Sequence, residues 1–272
     1  MKAVDPNIKI IVNWRPEADH AEWTTLIQQA GAYFDIADVH FYYDWGLANW
    51  DTWLNQNPMR NKNQWHDGPT YKEEIEQFHI NAASLGYDIK MTSLEWNIAP
   101  NESVHHSVFQ HALMQSEMLG QFIEGGLSMA CLWPLIWDVG DEEFRSILNQ
   151  NTYTPTPVFE IHKMYSEVLG HRVVQSSTDI SHVRPVAALS LDGKTVWLYL
   201  LHKSGEGMTF NTNIQLDGFA PDSVQAVSLT ANNLNDDDGV LVNPTVEMGA
   251  GPGLWRCTLP PHSLTMITFT KN

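Results

Sequence analysis

At 272 residues, 43% of them hydrophobic, the chain is long enough to bury a substantial core in one large domain or two smaller ones. Its 32 acidic against 15 basic residues give a formal charge of −17, which argues against nucleic acid or anionic membrane as a partner and mildly disfavours a polyanionic substrate. No apolar run approaches the roughly eighteen residues of a membrane span, and "MKAVDPNIKIIVNW" lacks a signal-peptide core, so the sequence leaves the location of this chain open.

In chain order, "IKIIVN" (8–13) is a continuous apolar run followed by a helical pattern in "EWTTLIQQAGAYF" (22–34), which predicts a strand and then a helix. "DIADVHFYY" (35–43) is the next strand, and a Trp- and Asn-rich loop (44–70) leads to the amphipathic helix "YKEEIEQFHINAASLGY" (71–87). The third unit is the strand "IKMTSLEWNI" (89–98) with a helix over 104–126 that two glycines terminate. The fourth is "LSMACLWPLIW" (127–137), a loop, and the helix "TPVFEIHKMYSEVLG" (156–170), with Pro157 near its start and Gly170 at its stop. After Gly170 come short strands joined by turn residues, beginning with an Asp-Gly hairpin in "PVAALSLDGKTVWLYLLHK" (185–203), which predict an all-β domain, most simply a sandwich. Four βα units fit either a small open sheet or half of a closed barrel, which needs eight.

Eleven tryptophans, several at strand ends, suit the flat apolar faces of sugars, although any one of them serves equally well as core filling. Cys131 and Cys257 are the only cysteines; each sits in an apolar strand-like run and is expected in the core, with no disulfide framework or thiolate metal site.

The sharpest local signal is "IKMTSLEWNIAP" (89–100), an apolar strand that ends on Glu95, Trp96 and Asn97. A buried acid there must be paired, hydrogen-bonded or put to use. His40 and Tyr42, two apart on the preceding strand, point to one face of it. Each has a structural alternative: Glu95 held by an arginine or by backbone N–H groups, His40 as a satisfied core histidine, and Trp133 and Trp137 as plugs rather than a sugar platform.

Taken together, "VDPNIKIIVN", "DVHFYY" and "SLEWN" resemble, in order and spacing, strands five, six and seven of retaining glycoside hydrolases of the large (β/α)8-barrel clan. The resemblance is nearest to the α-L-arabinofuranosidase and β-xylosidase type, with β-agarases of similar layout. The tail, closing on "LPPHS" (259–263), is similar to the β-sandwich that follows the barrel in arabinofuranosidases. This implies an α/β plus all-β chain: the C-terminal half of the barrel, strands five to eight, over 1–170, and the sandwich over 171–272. It implies action on a plant or algal carbohydrate, with no cofactor and no metal, and a full-length parent that is secreted or periplasmic.

Residue by residue, the resemblance makes Glu95 the nucleophile and Tyr42 its hydrogen-bonding partner, with His40, Asn97, Trp96, Trp133 and Trp137 as substrate contacts. The general acid of the resembled families is a Glu in an Asn-Glu pair ending strand four, and the first strand here reads as strand five. The acid is therefore expected to be missing; Glu17, Glu102 and Asp138 are weaker substitutes. Alone, the chain is expected to be inactive or nearly so, and to oligomerise through its open barrel edge. The alternative is a non-catalytic carbohydrate-binding or interaction module with a degenerate site.

Two other chemistries are set aside. His105, His106 and His111 are not spaced to chelate one ion from one helix face, which makes a solvated face the expectation. "NDDDG" (235–239) lacks the first ligand of a calcium loop and reads as a polar turn.

Overall fold

The computed structural model describes residues 3–15, 17–43, 50–63, 66–99, 107–136, 145–204 and 207–272. Its contacts divide the chain into two compact units, one made of Met1–Ala48, Met59–Asn101 and Gly120–Trp133, the other of Asn49–Pro58, Glu102–Leu119 and Pro134–Asn272.

The first unit is built on a parallel sheet. Strand β1 (Ile11–Asn13) is followed by helix α1 (Ala21–Ala30) and by β2 (Ile36–Asp38) and β3 (Phe41–Tyr43), two segments of one strand interrupted at Val39 and His40. The stretch from 44 to 70, expected as loop, contains helix α2 (Trp50–Asn55), assigned to the second unit, and a small hairpin, β4 (Lys62–Asn63) with β5 (His66–Asp67). Helix α3 (Tyr71–Ser84) opens on a capping box: the Glu73 N–H donates to Thr70 Oγ1 while the Thr70 N–H donates to the Glu73 carboxylate. Strand β6 (Lys90–Ile98), helix α4 (Val108–Gly125), which belongs to this unit from Gly120 and to the second unit before it, and strand β7 (Met129–Leu132) follow.

Every pairing in this sheet is parallel, and the strands lie side by side in chain order, β1, then β2 with β3, then β6, then β7. One face of the sheet is helix-covered: Ala37, Met91 and Trp96 are fully buried, and Phe122 of α4 packs on Phe41, Tyr71 and Trp96 at 5.3 to 5.7 Å between ring centres. The other face carries Ile11, Ile36 and Lys90 in one row and Asn13, Asp38, Thr92 and Met129 in the next. Ile11 and Met129 stand exposed on it, and Cys131, expected in the core, is exposed for the same reason. Helix α4 ends in a Schellman motif, Leu127 N–H to Phe122 O and Gly126 N–H to Ile123 O, which requires the positive φ of 82° at Gly126.

The second unit contains helix α5 (Pro157–Ser166) and two antiparallel sheets. The larger sheet, in spatial order, is β13 (Val240–Val242), β12 (Ser223–Thr230), β16 (Ser263–Thr270), β10 (Thr195–His202), β9 (Val183–Leu189) and β8 (Arg172–Val174). The smaller is β11 (Phe210–Gln215), β15 (Leu254–Leu259) and β14 (Val246–Met248). Alternating residues from both sheets, among them Leu198, Leu200, Ile267 and Phe269 from the larger and Ile214, Trp255 and Cys257 from the smaller, form one hydrophobic cluster. The polar turn near 235–239 caps the start of α4: Asp237 Oδ1 accepts the Val108 N–H at 3.1 Å, and the Leu234 carbonyl accepts the Ser107 hydroxyl at 2.6 Å. His111, expected on a solvated face, is buried with Nδ1 3.2 Å from the Ser107 carbonyl. Among the described residues no helix is long and apolar enough to cross a membrane.

Candidate functional site

Glu95 owes its placement to a bulge. Strand β6 carries one residue more than its neighbours between Thr92 and Trp96: Asp38 pairs with Thr92 and Phe41 with Trp96 on one side, and Ser93 with Ala130 and Trp96 with Leu132 on the other. A bulge re-aims side chains and leaves backbone groups outside the ladder, which then need other partners. Two side chains supply them. The Ser93 hydroxyl donates to the Glu95 carbonyl at 3.0 Å and receives the Phe41 N–H at 3.4 Å; Asp38 Oδ1 accepts the Leu94 N–H at 2.8 Å.

The turned-out Glu95 side chain is about one-third exposed, at 36%. Tyr42 Oη donates to its Oε1 at 2.5 Å, a short, charge-assisted contact, and His40 Nδ1 stands 3.6 Å from its Oε2. The opposite imidazole nitrogen, Nε2, lies 3.2 Å from Oδ2 of Asp38, whose carboxylate is buried and also accepts Asn13 Nδ2 at 2.8 Å. Two carboxylates thus flank one imidazole, one beside each ring nitrogen. Asp38 is locked to the backbone of the bulge and to Asn13 and stands 3.2 Å from His40, while Tyr42 holds one Glu95 oxygen and His40 stands beside the other. The arrangement presents a carboxylate of set orientation at the C-terminal end of a parallel strand.

The other sequence-predicted residues divide. Asn97 is fully buried; its Nδ2 donates to the Trp133 carbonyl at 2.5 Å and its Oδ1 accepts the Ile98 N–H at 2.7 Å, so it ties the end of β6 to the end of β7. Trp96 is buried on the helix-covered face, edge-on to Phe122. Trp133, 41% exposed, follows β7 with its N–H 3.3 Å from the Trp96 carbonyl. Trp137 lies outside the described residues, as do Glu102, Asp138, His105 and His106. The residues that sequence reasoning missed are Asp38, Asn13 and Ser93. Asp38 carried a usable signal, since Asp38 and His40 are two apart in a strand and share a face.

No family model matches the chain, and no curated protein matches it. Solved structures do. The α-L-arabinofuranosidase of Thermotoga maritima, determined as an arabinose complex, superposes with a TM-score of 0.69 at 16% identity, over 99% of this chain and 59% of that one. AbfB, a family 51 α-L-arabinofuranosidase from Bifidobacterium longum, gives 0.68 at 13% identity over 99% of this chain and 60% of that one. BuGH86, determined with neoagarooctaose, gives 0.62 at 14% identity over 100% of this chain and 45% of that one. The chain thus spans about three fifths or less of these three structures. At such identities the likeness is one of fold, and on it this chain has a mixed α/β fold shared with part of each of these structures.

Proposed function

We propose that this chain is the C-terminal half of a retaining glycoside hydrolase barrel, strands five to eight, joined to a β-sandwich, and that Glu95 is its nucleophile. The observation that carries the reading is the bulged end of β6, where Tyr42 hydrogen-bonds one oxygen of a partly exposed carboxylate and His40 stands beside the other. A nucleophile that must meet an anomeric carbon belongs at the C-terminal end of a barrel strand, where loops converge. The unbroken chain order of the four parallel strands supports a barrel segment over a doubly wound sheet, whose strand order reverses. The antiparallel pair of sheets sharing one core supports the sandwich. The substrate on this reading is a plant or algal oligosaccharide or polysaccharide, of arabinofuranoside, xyloside or agarose type, with the exposed Trp133 ring as one platform for it.

Retention needs a second carboxyl group about 5–5.5 Å from the first, to protonate the leaving oxygen and later to activate water. We place it on the barrel half that completes this one in the larger glycoside hydrolases. Ile11 and Met129, exposed on the two outer strands β1 and β7, favour association through the open barrel edge. Sedimentation velocity at high micromolar concentration is expected to find oligomers; a single monomeric species would remove this part of the reading.

The nucleophile can be tested without the acid. A 2-fluoro glycoside with a dinitrophenolate or fluoride leaving group departs unaided, so attack by Glu95 needs no protonation. A mass shift on the peptide bearing Glu95, lost in Glu95→Gln, is expected. Saturable glycan binding with no label would instead favour a non-catalytic carbohydrate-binding module.

A further inference from the structure

In the first unit, Asp19, His66 and Glu74 come from three separated segments: the turn that precedes α1, the β4–β5 hairpin and the first turn of α3. Each offers one ligand atom, and the three atoms all lie within 4.8 Å of one another. Glu74 is fully buried and firmly oriented. Its Oε1 accepts Asn61 Nδ2 at 2.9 Å and stands 3.0 Å from His66 Nε2, and its Oε2 accepts the Ala18 N–H at 3.2 Å. The backbone is pressed against this pair: a Cβ at Gly68 would stand 2.0 Å from His66 Nε2 and 2.8 Å from Glu74 Oε1.

An ion pair between His66 and Glu74 explains the burial of one carboxylate and leaves two more. Asp19 stands beside them, and Oε2 of Glu17, which also acts on His66 through space, is buried with no hydrogen-bond partner among the described residues. Three carboxylates around one imidazole are an excess of negative charge: among the described residues no Lys or Arg is hydrogen-bonded to any of them, and Arg15, which acts on Glu17 through space, is bonded to Glu22. A bound cation would balance the remainder.

We propose that Asp19, His66 and Glu74 form a three-ligand site for a divalent transition ion, with Zn²⁺ as the best fit. One nitrogen and two carboxylate donors suit a borderline ion better than Ca²⁺ or Mg²⁺, which take oxygen. Ligands about 2.1 Å from an ion in adjacent positions stand roughly 3.0–3.4 Å apart, as Nε2 and Oε1 already do. Asn61 and the Ala18 N–H are then the outer partners that orient the Glu74 carboxylate. The ion ties the turn before α1 to the hairpin and to α3, a structural staple that uses none of the residues around Glu95. Each ligand is contributed by a different segment, so helical spacing in the sequence gives no sign of it.

The full chain, stripped with EDTA and dialysed, is titrated calorimetrically with ZnCl2 and, separately, with MnCl2. The expected result is one saturable Zn²⁺ per chain and a thermal midpoint that rises with Zn²⁺ concentration, with Mn²⁺ binding more weakly. His66→Ala and Asp19→Asn are each expected to weaken Zn²⁺ binding at least roughly 10–100-fold. Asp19→Asn leaves the His66–Glu74 pair and the Asn61 bond in place, so its loss of affinity cannot come from misfolding of Glu74. The proposal fails if no saturable Zn²⁺ binding occurs up to about 1 mM, or if both variants bind Zn²⁺ as tightly as the unmodified chain, which would put the ion on other histidines.

Discussion

Tyr42 and Glu95, 53 residues apart in sequence, are joined by a hydrogen bond of 2.5 Å between the phenol and one carboxylate oxygen. A hydrogen bond to a charged acceptor contributes about 1.5–3 kcal/mol, and this one is partly exposed, which puts it at the lower end. Tyr42→Phe keeps the ring and removes only the donor. On the proposed role of Glu95, the rate of labelling by an activated 2-fluoro glycoside is expected to fall about 10-fold in this variant, with a folded structure unchanged by circular dichroism. Labelling at the original rate would mean that the hydroxyl does not position the nucleophile.

Asp38 is the hub behind that pair. Its buried carboxylate accepts from Leu94 N–H, Asn13 Nδ2 and the Thr92 hydroxyl, and faces His40. Asp38→Asn must turn an NH2 toward at least one of these donors, leaving a buried polar group unsatisfied at a cost of about 1–3 kcal/mol. Urea unfolding followed by Trp fluorescence is expected to show that loss. A change below about 0.5 kcal/mol would mean the bulge is held by Ser93 alone.

Much of this arrangement was legible in the sequence because it is local. The apolar run ending on Glu95 and the His40 and Tyr42 pair at strand spacing both follow from a period of two. What escaped needed partners distant in sequence or elements too short to have a period. The hairpin strands Lys62–Asn63 and His66–Asp67 are two residues each. The bulge is visible only against the strands on both sides of it. The start of α4 is capped by Asp237, 129 residues later. Cys131 was expected inside because an apolar strand was assumed to be covered on both faces, and on one face of this sheet Ile11, Met129 and Cys131 stand exposed.

In the second unit, Lys203 and Glu117 form a buried pair whose side chains are 1% and 2% exposed. Lys203 Nζ donates to Glu117 Oε2 at 2.8 Å and to the Gln56 carbonyl at 2.6 Å, and lies over the Trp53 ring, whose Nε1 donates to the same Glu117 oxygen at 2.7 Å. Burial lowers the lysine pKa despite the adjacent carboxylate. Lys203→Met removes the nearer of two cations, leaving Arg184 Nε 3.7 Å from Glu117 Oε1, and is expected to cost about 3 kcal/mol, whereas Lys203→Met combined with Glu117→Gln should recover part of it. A double-mutant cycle in urea measures this; strict additivity would sink the claim of coupling.

The same unit should weaken in mild acid for a reason separate from its carboxylates. Burial, and then the neighbouring His202, hold the His262 imidazole down to about 4. Burial likewise lowers His202, outweighing its bond to the Pro260 carbonyl, with His182 adding to the shift. Unfolded, each ring takes up a proton near its ordinary value of about 6.5. The folded state resists, so the stability these rings contribute is complete above about pH 6.5 and is lost as the pH falls toward 4. The shift at His262 corresponds to at most about 3 kcal/mol. Its backbone sits at φ 42°, which asparagine tolerates, so His262→Asn isolates the titration from backbone strain. Urea midpoints measured from pH 7 to pH 4.5 should decline less steeply in the variant than in the parent chain. Parallel declines would show that His262 is free to protonate while folded.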